Sequence, residues 1–277
     1  VYVLIRHDLH IHTVLSPCCH VDDAIPANYI KQAKELGMKV LGFADHFWDE
    51  TIPGASGGFA ELNLNHLMSI KEMLPQEDNS LKVLVGCETE YRGGGKISIS
   101  PKVAEKFDFV LVPTSHVHFK SVRPSWVNTA KDLANLMVTH FKEVLKFDFV
   151  TGMAHPFLPI GFFNRNEILS FISDEQFAEC FGLAAEKNIS IEITTGYFPS
   201  TRESPQTSEY NDETYLRMLR IAKQENCLFH FASDAHELAR LRGIVKMEKI
   251  LEDLGFTDEN LHPIVKDAAL ELKQGIV

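Results

Sequence analysis

Short apolar runs alternate along this chain with longer stretches in which apolar residues recur every three or four positions. The short runs predict strands that are buried on both faces, and the longer stretches predict amphipathic helices. Seven strands are expected, at residues 3–5 continuing toward residue 10, 40–44, 82–86, 109–113, 149–154, 190–194 and 228–232. Helices are expected between them at residues 24–36, 62–74, 129–145, 174–187, 212–224 and 243–254.

This alternation predicts a parallel sheet covered by helices, and seven such units fit a closed or nearly closed β/α barrel. The least regular unit links the third and fourth strands, where RGGGKISIS predicts a hairpin and only residues 102–106 favour a helix. No linker rich in Pro, Gly or Ser divides the chain. We therefore expect a single domain over residues 1–277, with one more helix in the terminal segment 257–277.

The composition is that of a folded globular protein, with 277 residues of which 45% are hydrophobic and 23% charged. A net charge of -11 argues against a nucleic-acid partner, which needs clustered Lys and Arg, and favours a small substrate. No apolar run has the roughly 18 residues of a membrane helix, and the N-terminus lacks the order of a signal peptide. A cytoplasmic protein is expected, with its five cysteines as reduced thiols.

A potential metal ligand follows each of the seven predicted strands. The carboxyl ends of barrel strands meet at one face, so these side chains are expected to converge there. In DLHIHT, His10 and His12 are two positions apart on an extended segment and face the same side. The other strand-end candidates are Asp45, His46, Glu88, Glu90, His116, His118, His155, Glu192, Asp234 and His236. So many imidazole and carboxylate donors predict two or three divalent ions of zinc, iron or manganese.

The order of these motifs resembles the PHP family of polymerase-and-histidinol-phosphatase-like metallophosphoesterases. D-x-H-x-H follows the first strand, D-H the second, G-x-E the third and D-x-H the seventh, so that the resemblance extends from Asp8 to His236. It implies a distorted seven-stranded β/α barrel with a metal centre that is commonly trinuclear. The ligand sets implied by the resemblance are His10, His12, Glu88 and Asp234 for one metal, Glu88, His116 and His155 for a second, and His20, His46 and His236 for a third.

Four further residues near these motifs are not expected to bind a metal directly. Cys18 and Cys19 adjoin His20 and are interpreted as small buried residues rather than ligands. Asp8 and Glu192 are expected to orient ligands as hydrogen-bond acceptors.

Clustered divalent ions lower the pKa of water from about 15.7 toward about 7 and clamp phosphoryl oxygens. The expected reaction is therefore hydrolysis of a phosphomonoester by a metal-bridging hydroxide. Glu88, Asp234 and His236 are the expected catalytic residues, with Glu88 as the bridge between metals. Asp234 or a metal-bound water would protonate the departing alkoxide.

Phosphate also needs cationic partners from the protein, because the chain as a whole is acidic. Arg165 and Arg202 follow the fifth and sixth predicted strands. The family resemblance favours both, since arginines from such loops hold phosphate in its histidinol-phosphate phosphatases. Arg92, Arg240 and Arg242 are weaker candidates.

The expected substrate is L-histidinol phosphate, hydrolysed to L-histidinol and phosphate in histidine biosynthesis. The first alternative is a PHP phosphoesterase of broader specificity that acts on nucleotides or sugar phosphates. A second is an amidohydrolase, although these enzymes usually place a Lys where Glu88 stands. A third is a metal-binding module without catalytic activity, against which the complete ligand set argues. The sequence predicts no oligomeric state.

Overall fold

The computed structural model of the protein describes residues 4–55, 57–76, 79–119, 122–162, 164–201 and 212–274. Within these ranges the chain alternates between strands and helices, as the apolar pattern predicts. The strands are β1 (His7–Ile11), β2 (Val40–Phe43), β3 (His46–Phe47), β4 (Lys82–Val85), β5 (Cys87–Thr89), β6 (Val110–Pro113), β7 (Gly152–Ala154), β8 (Ser190–Thr194) and β9 (Phe229–Ala232). The helices are α1 (Pro26–Glu35), α2 (Leu64–Met68), α3 (Ile70–Met73), α4 (Pro101–Ala104), α5 (Ala130–Val144), α6 (Arg165–Ser170), α7 (Asp174–Glu186), α8 (Asp212–Gln224), α9 (Arg242–Asp253) and α10 (Pro263–Gln274).

The paired strands are parallel, which confirms the α/β class. The described strands form two sheets rather than one closed barrel, with orders β1-β2-β4 and β3-β5-β6-β7-β8-β9. The chain passes directly from β2 to β3 and from β4 to β5, so these segments change partners and link the sheets. The expectation of a closed or nearly closed seven-stranded sheet is therefore corrected to two linked parallel sheets.

Hydrogen bonds to side chains of β1 connect it to β9 and the residue after it, at the place where a closed barrel would have backbone hydrogen bonds between adjacent strands. The Phe231 N–H donates to Nε2 of His7 at 2.8 Å, and the Ser233 N–H donates to Oδ1 of Asp8 at 3.1 Å. Beyond β1, the His12 N–H donates to the Ala235 carbonyl at 2.9 Å. The His7 and Asp8 side chains thus satisfy the amides of Phe231 in β9 and of Ser233 directly after it, and a single backbone bridge between Ile11 and Ala235 completes the seam between the two sheets.

The ring of Phe109 leaves no room for a side chain at Gly42 or Gly86. A Cβ at Gly42 would lie 2.8 Å from Cζ of Phe109, and one at Gly86 would collide with the same ring. Gly86 stands between β4 and β5, where the chain changes its partner strand. The buried Phe109 ring therefore occupies the volume that side chains at these two positions would fill.

Some elements differ from those expected. The predicted helix 62–74 is interrupted at Ser69, whose Oγ donates to the His66 carbonyl at 2.6 Å, a local bond that competes with helical pairing. Helix α6 was not predicted. The expected hairpin is present as an antiparallel bridge between Tyr91 and Ile97. None of the described helices has the length and apolar character needed to cross a membrane.

The seam histidine is neutral in the folded protein. The Nδ1–H of His7 donates to the Ile5 carbonyl at 2.6 Å, while Nε2 accepts the Phe231 N–H, so both ring nitrogens are used. A proton on Nε2 would break the second bond. The ring is fully buried, and this burial lowers the pKa of His7 to about 3.

We expect the free energy of unfolding to fall as the pH decreases below about 6.5, because the unfolded chain binds a proton that the folded His7 excludes. Above pH 6.5 this contribution is fully present, and toward pH 3 it is lost with a slope of about 1.4 kcal/mol per pH unit. The His7→Gln variant keeps a donor and an acceptor but does not titrate. Urea unfolding at several pH values should therefore give a shallower pH dependence for the variant than for the wild type at equal metal load. Equal pH slopes would contradict this role.

Candidate metal centre

Imidazole and carboxylate side chains meet at the carboxyl ends of the strands, at the floor of a cleft of about 780 Å³. His10 and His12 alternate with Ile11 at the end of β1 and are both buried. The predicted ligands that line the cleft are His12, His46, Glu88, His116, His155, Asp234 and His236. The parallel strands thus bring together residues that are up to 226 positions apart, from His10 to His236.

Glu88 is at the centre of this cluster. Its Oε1 lies 3.0 Å from Nε2 of His155, and its Oε2 lies 2.9 Å from Nδ1 of His46. Oε1 is also 3.7 Å from Nε2 of His10 and 3.8 Å from Nε2 of His116. With Nε2 of His12 at 3.6 Å from Oε2, five histidines face this carboxylate, which therefore has the position required of a bridging ligand.

Among the described residues, three groups of donor atoms are compact enough to hold an ion, because the atoms of each group lie within 4.8 Å of one another. The groups are His10, His12 and Asp234; His10, Glu88 and His155; and His12, Cys18, His46 and His236. The first contains three of the four ligands that the resemblance implies for the first metal, and the second contains Glu88 and His155 of the second set together with His10. His116 faces Glu88 from the edge of the second group.

The ring nitrogens that point away from the cluster are held by hydrogen bonds. His10 Nδ1 lies 2.8 Å from Glu192 Oε2, His12 Nδ1 3.2 Å from Ser16 Oγ, His116 Nδ1 2.9 Å from Glu90 Oε1, His155 Nδ1 2.6 Å from Ser115 Oγ, and His236 Nδ1 2.9 Å from the Asp234 carbonyl. Such bonds fix the ring orientation and direct the other nitrogen inward, as is usual for metal-binding histidines. Glu90 therefore orients His116 and is not one of the inward-facing donors.

Glu192 holds two of the predicted ligands at once. Its Oε2 accepts from Nδ1 of His10, and its Oε1 accepts the backbone N–H of His155 at 3.0 Å. Nε2 of His230 lies 3.3 Å from Oε2 on the opposite side. Burial alone would raise the pKa of Glu192, but His10 and His230 hold it at about 2. An ionised acceptor is therefore fixed beneath the cluster, consistent with the orienting role expected from the sequence.

We expect the Glu192→Gln variant to bind metal about 10- to 100-fold more weakly, because an amide cannot accept at both oxygens and loses the charge that aligns His10. Glu186→Gln is a matched control, since Glu186 is exposed on the adjacent α7. Titration of the metal-free proteins with zinc measures both affinities. Equal affinity in the Glu192 variant and the wild type would contradict the orienting role.

Two predicted ligands have left-handed backbone conformations that are costly for residues other than glycine. The φ angle is 29° at His155 and 51° at Asp234. The Glu192 carboxylate holds the first through the backbone bond already described. The second follows Ser233, whose carbonyl accepts from Oγ1 of Thr195 at 3.1 Å. Such strain commonly marks residues whose side chains must point into a functional site.

The charges in the cluster are arranged to receive cations. Burial would raise the pKa of Glu88, yet the surrounding His10, His46 and His116 keep it well below its usual range. Burial would also raise the pKa of Asp234, but the hydrogen bond with His12 and the nearby His10 keep it well below its usual value. Oε2 of Glu88 and Nδ1 of His46 are buried without a hydrogen-bond partner although they are 2.9 Å apart. Two inward-facing ligand atoms that make no hydrogen bond to each other are suited to binding one shared cation.

His20 is not brought into the cluster. Its side chain is exposed, and Cys18 occupies the expected place beside His46 and His236. The reason lies in the preceding turns, in which the Ser16 N–H donates to the Thr13 carbonyl and the Cys19 N–H to the Ser16 carbonyl. The predicted ligand set of His20, His46 and His236 is therefore not assembled.

The buried Asp45 carboxylate anchors this loop. It accepts the Thr13 N–H at 2.6 Å, the Thr13 hydroxyl at 2.7 Å and the Ser16 hydroxyl at 2.6 Å. Asp45 immediately precedes His46, so one segment positions both a predicted ligand and the loop that carries Cys18. All of its described bonds are to this loop.

Three arginines of the described part of the chain line the cleft. Arg165 at the start of α6 lines it, as expected, and its Nε donates to the Phe162 carbonyl at 3.2 Å. Arg202 lies outside the described residues. Arg240 and Arg242 also line the cleft, although the sequence ranked them lower. Their position directly after the last ligand motif was the signal that could have identified them. Arg92 instead lies over the ring of Trp48, 4.7 Å from its centroid.

Comparison with known proteins gives relatives of similar length. A probable phosphatase of Clostridium botulinum is 25% identical to this chain over 254 residues, covering 91% of this chain and 87% of the relative. A probable phosphatase of Clostridium acetobutylicum is 24% identical over 254 residues with the same coverage. A probable phosphatase of Proteus mirabilis is 21% identical over 255 residues, covering 92% of this chain and 88% of the relative.

The fold is shared with solved structures. The crystal structure of histidinol phosphate phosphatase from Lactococcus lactis, complexed with zinc, L-histidinol and phosphate, aligns with a TM-score of 0.62 and 18% identity, covering 91% of this chain and 95% of that chain. A chain in the cryo-EM structure of archaeal ribonuclease P with mature tRNA aligns with a TM-score of 0.51 and 16% identity, covering 98% of this chain and 91% of that chain. The family model of the PHP domain matches residues 8–196, which is more than half of the chain. The family match thus agrees with the order of the metal-ligand motifs along the chain, and this chain belongs to the PHP domain family.

Proposed function

We propose that this protein is a phosphomonoesterase that depends on two or three divalent metal ions and hydrolyses L-histidinol phosphate to L-histidinol and phosphate. The observation that carries the proposal is the position of Glu88, whose two oxygens face histidines from separate strands at the floor of an open cleft. Membership of a phosphatase family supports hydrolysis of a phosphate ester.

Two metal positions follow from the donor groups. His10, His12 and Asp234 would hold one ion, and Glu88, His116 and His155 would hold another, with Glu88 shared between positions. Mixed imidazole and carboxylate donors accept zinc, iron and manganese. When bound, such ions supply Lewis acidity to phosphoryl oxygens and lower the pKa of water toward about 7.

The residues of the chain would have separate roles in the reaction. Asp234 is ionised and 19% exposed, so its carboxylate can accept a hydrogen bond from the attacking water and orient it. An ionised Asp234 is a poor proton donor, and solvent water in the cleft would protonate the departing alkoxide. His236 lies beside it and fixes the Asp234 backbone through its Nδ1–H. The bond from phosphorus to the ester oxygen breaks as the bond from phosphorus to the water oxygen forms, and the attacking water releases its proton to solvent.

The cleft also offers groups suited to the rest of the substrate. Arg165, Arg240 and Arg242 provide positive charge for the phosphate oxygens, and we retain Arg202 as a further phosphate ligand. Glu237, which also lines the cleft, would offer a carboxylate to an ammonium group, and the ring of Phe119 would pack against an imidazole. L-Histidinol phosphate carries both groups, and the histidinol phosphate phosphatase of similar fold contains L-histidinol and phosphate.

The proposal is tested by phosphate release from L-histidinol phosphate, sugar phosphates and nucleotides at equal concentration, with the zinc-, manganese- and iron-loaded protein. We expect the highest kcat/KM for L-histidinol phosphate. A flat profile would favour the phosphomonoesterase of broad specificity. Absence of hydrolysis with any phosphomonoester, in a protein that has its full metal content, would overturn the function as a whole.

A further inference from the structure

The third group of donor atoms differs from the other two because it contains sulfur. Sγ of Cys18 lies within 4.8 Å of donor nitrogens of His12, His46 and His236. All four side chains line the cleft. The ring centroids of His46 and His236 lie 4.6 and 4.5 Å from that of His12, so the imidazoles surround one side of the thiol.

The neighbours of Cys18 do not share this position. Cys19 packs against the hydrophobic core, and His20 is exposed on the loop. The turns at Thr13–Ser16 and Ser16–Cys19, held to Asp45, therefore present one of three consecutive potential ligands to the cleft. These bonds place the Cys18 thiol in the cluster without help from an ion.

We propose that Cys18, His46 and His236 form a third metal position in which the Cys18 sulfur is a ligand, and that this position selects zinc over manganese. The inference rests on the proposed metal-dependent function and specifies the ligands of its third ion. Binding would transfer the thiol proton to solvent as the sulfur–metal bond forms.

The donor set gives this position its own chemistry. A thiolate with imidazoles is typical of zinc, whereas manganese prefers carboxylate and water oxygens. The other two groups each contain a carboxylate, from Asp234 or Glu88. One cleft would thus combine a sulfur-containing position with two oxygen-containing ones, and a protein offered both metals would keep zinc at Cys18.

X-ray absorption at the zinc edge of the fully loaded wild-type protein tests the proposal without a mutation. We expect a sulfur shell at about 2.3 Å beside nitrogen and oxygen shells near about 2.0 to 2.1 Å. Cys18→Ser should lose the sulfur shell and about one zinc per chain, while Cys19→Ser and His20→Ala should keep both. A wild-type spectrum without sulfur, or loss of the sulfur shell in Cys19→Ser but not in Cys18→Ser, would overturn the assignment.

Metal competition and activity on the same samples separate this inference from the function itself. With equal zinc and manganese, the wild type should retain zinc at the sulfur-containing position, and Cys18→His should lose the sulfur shell and admit more manganese. Zinc with a sulfur shell but no phosphate release would overturn the proposed function and leave the ligand assignment standing. Phosphate release without a sulfur shell would overturn the ligand assignment alone.

Discussion

Replacing Glu88 by glutamine is expected to reduce phosphate release by on the order of 10³-fold, the largest effect of any single substitution considered. The variant keeps the shape of the side chain but removes the charge that faces His155 and His46 at 3.0 and 2.9 Å. Its amide nitrogen would point a donor at one of these ring nitrogens. A bridging position would therefore lose both a ligand atom and the negative charge that holds two cations together.

The measurement is kcat/KM for phosphate release, with metal content determined on the same preparation. Glu105→Gln is the matched control because the same change is made on an exposed residue just after α4, and its activity should equal that of the wild type. Thermal unfolding of each variant checks that the fold is retained. A folded Glu88→Gln protein with wild-type activity and wild-type metal content would exclude Glu88 as the central ligand.

Removal of metal by a chelator is expected to abolish phosphate release and to lower the stability of the fold. Each ion present at a thousand times its dissociation constant contributes about 4 kcal/mol to the free energy of unfolding. Without ions, the negative charges of the buried Glu88 and the partly buried Asp234 are compensated mainly by the surrounding histidines. Phosphate release and the midpoint of thermal unfolding should both recover when zinc, manganese or iron is added back.

Calcium provides the control for this experiment, because it prefers oxygen ligands and this cluster is dominated by imidazole nitrogen. It should restore neither activity nor stability. Full phosphate release by a protein shown by elemental analysis to be free of metal would contradict a metal-dependent reaction. The two chelation readouts also separate a structural ion from a catalytic one.

Much of the centre follows from two local rules. Residues at positions i and i+2 of a strand share a face, which brings His10 and His12 together at the end of β1. Parallel strands end at one edge, which places His155 after β7 beside Glu88 and Asp234 after β9 beside His12. The apolar runs also mark the strands well, although the short strands β3 and β5, which directly follow the runs at 40–44 and 82–86, were not predicted.

The differences come from contacts between distant parts of the chain. His7 and Asp8 use their side chains as acceptors for Phe231 and Ser233, so the two sheets meet through side chains and one backbone bridge rather than a continuous ladder, and no apolar pattern predicts such bonds. The choice of Cys18 over His20 depends on Asp45, which anchors the loop from about thirty residues away. The turn at Leu238–Leu241 likewise brings Arg240 to the cleft wall.

The most direct test of the central claim is elemental analysis of the purified protein after expression in medium supplemented with zinc, iron and manganese and extensive dialysis. If strand-end histidines and carboxylates gather around Glu88 to hold a cluster of cations, the wild type should retain two or three divalent ions per chain and Glu88→Gln at least one fewer. A folded wild-type protein whose zinc, iron and manganese together amount to less than one ion per chain would contradict this claim.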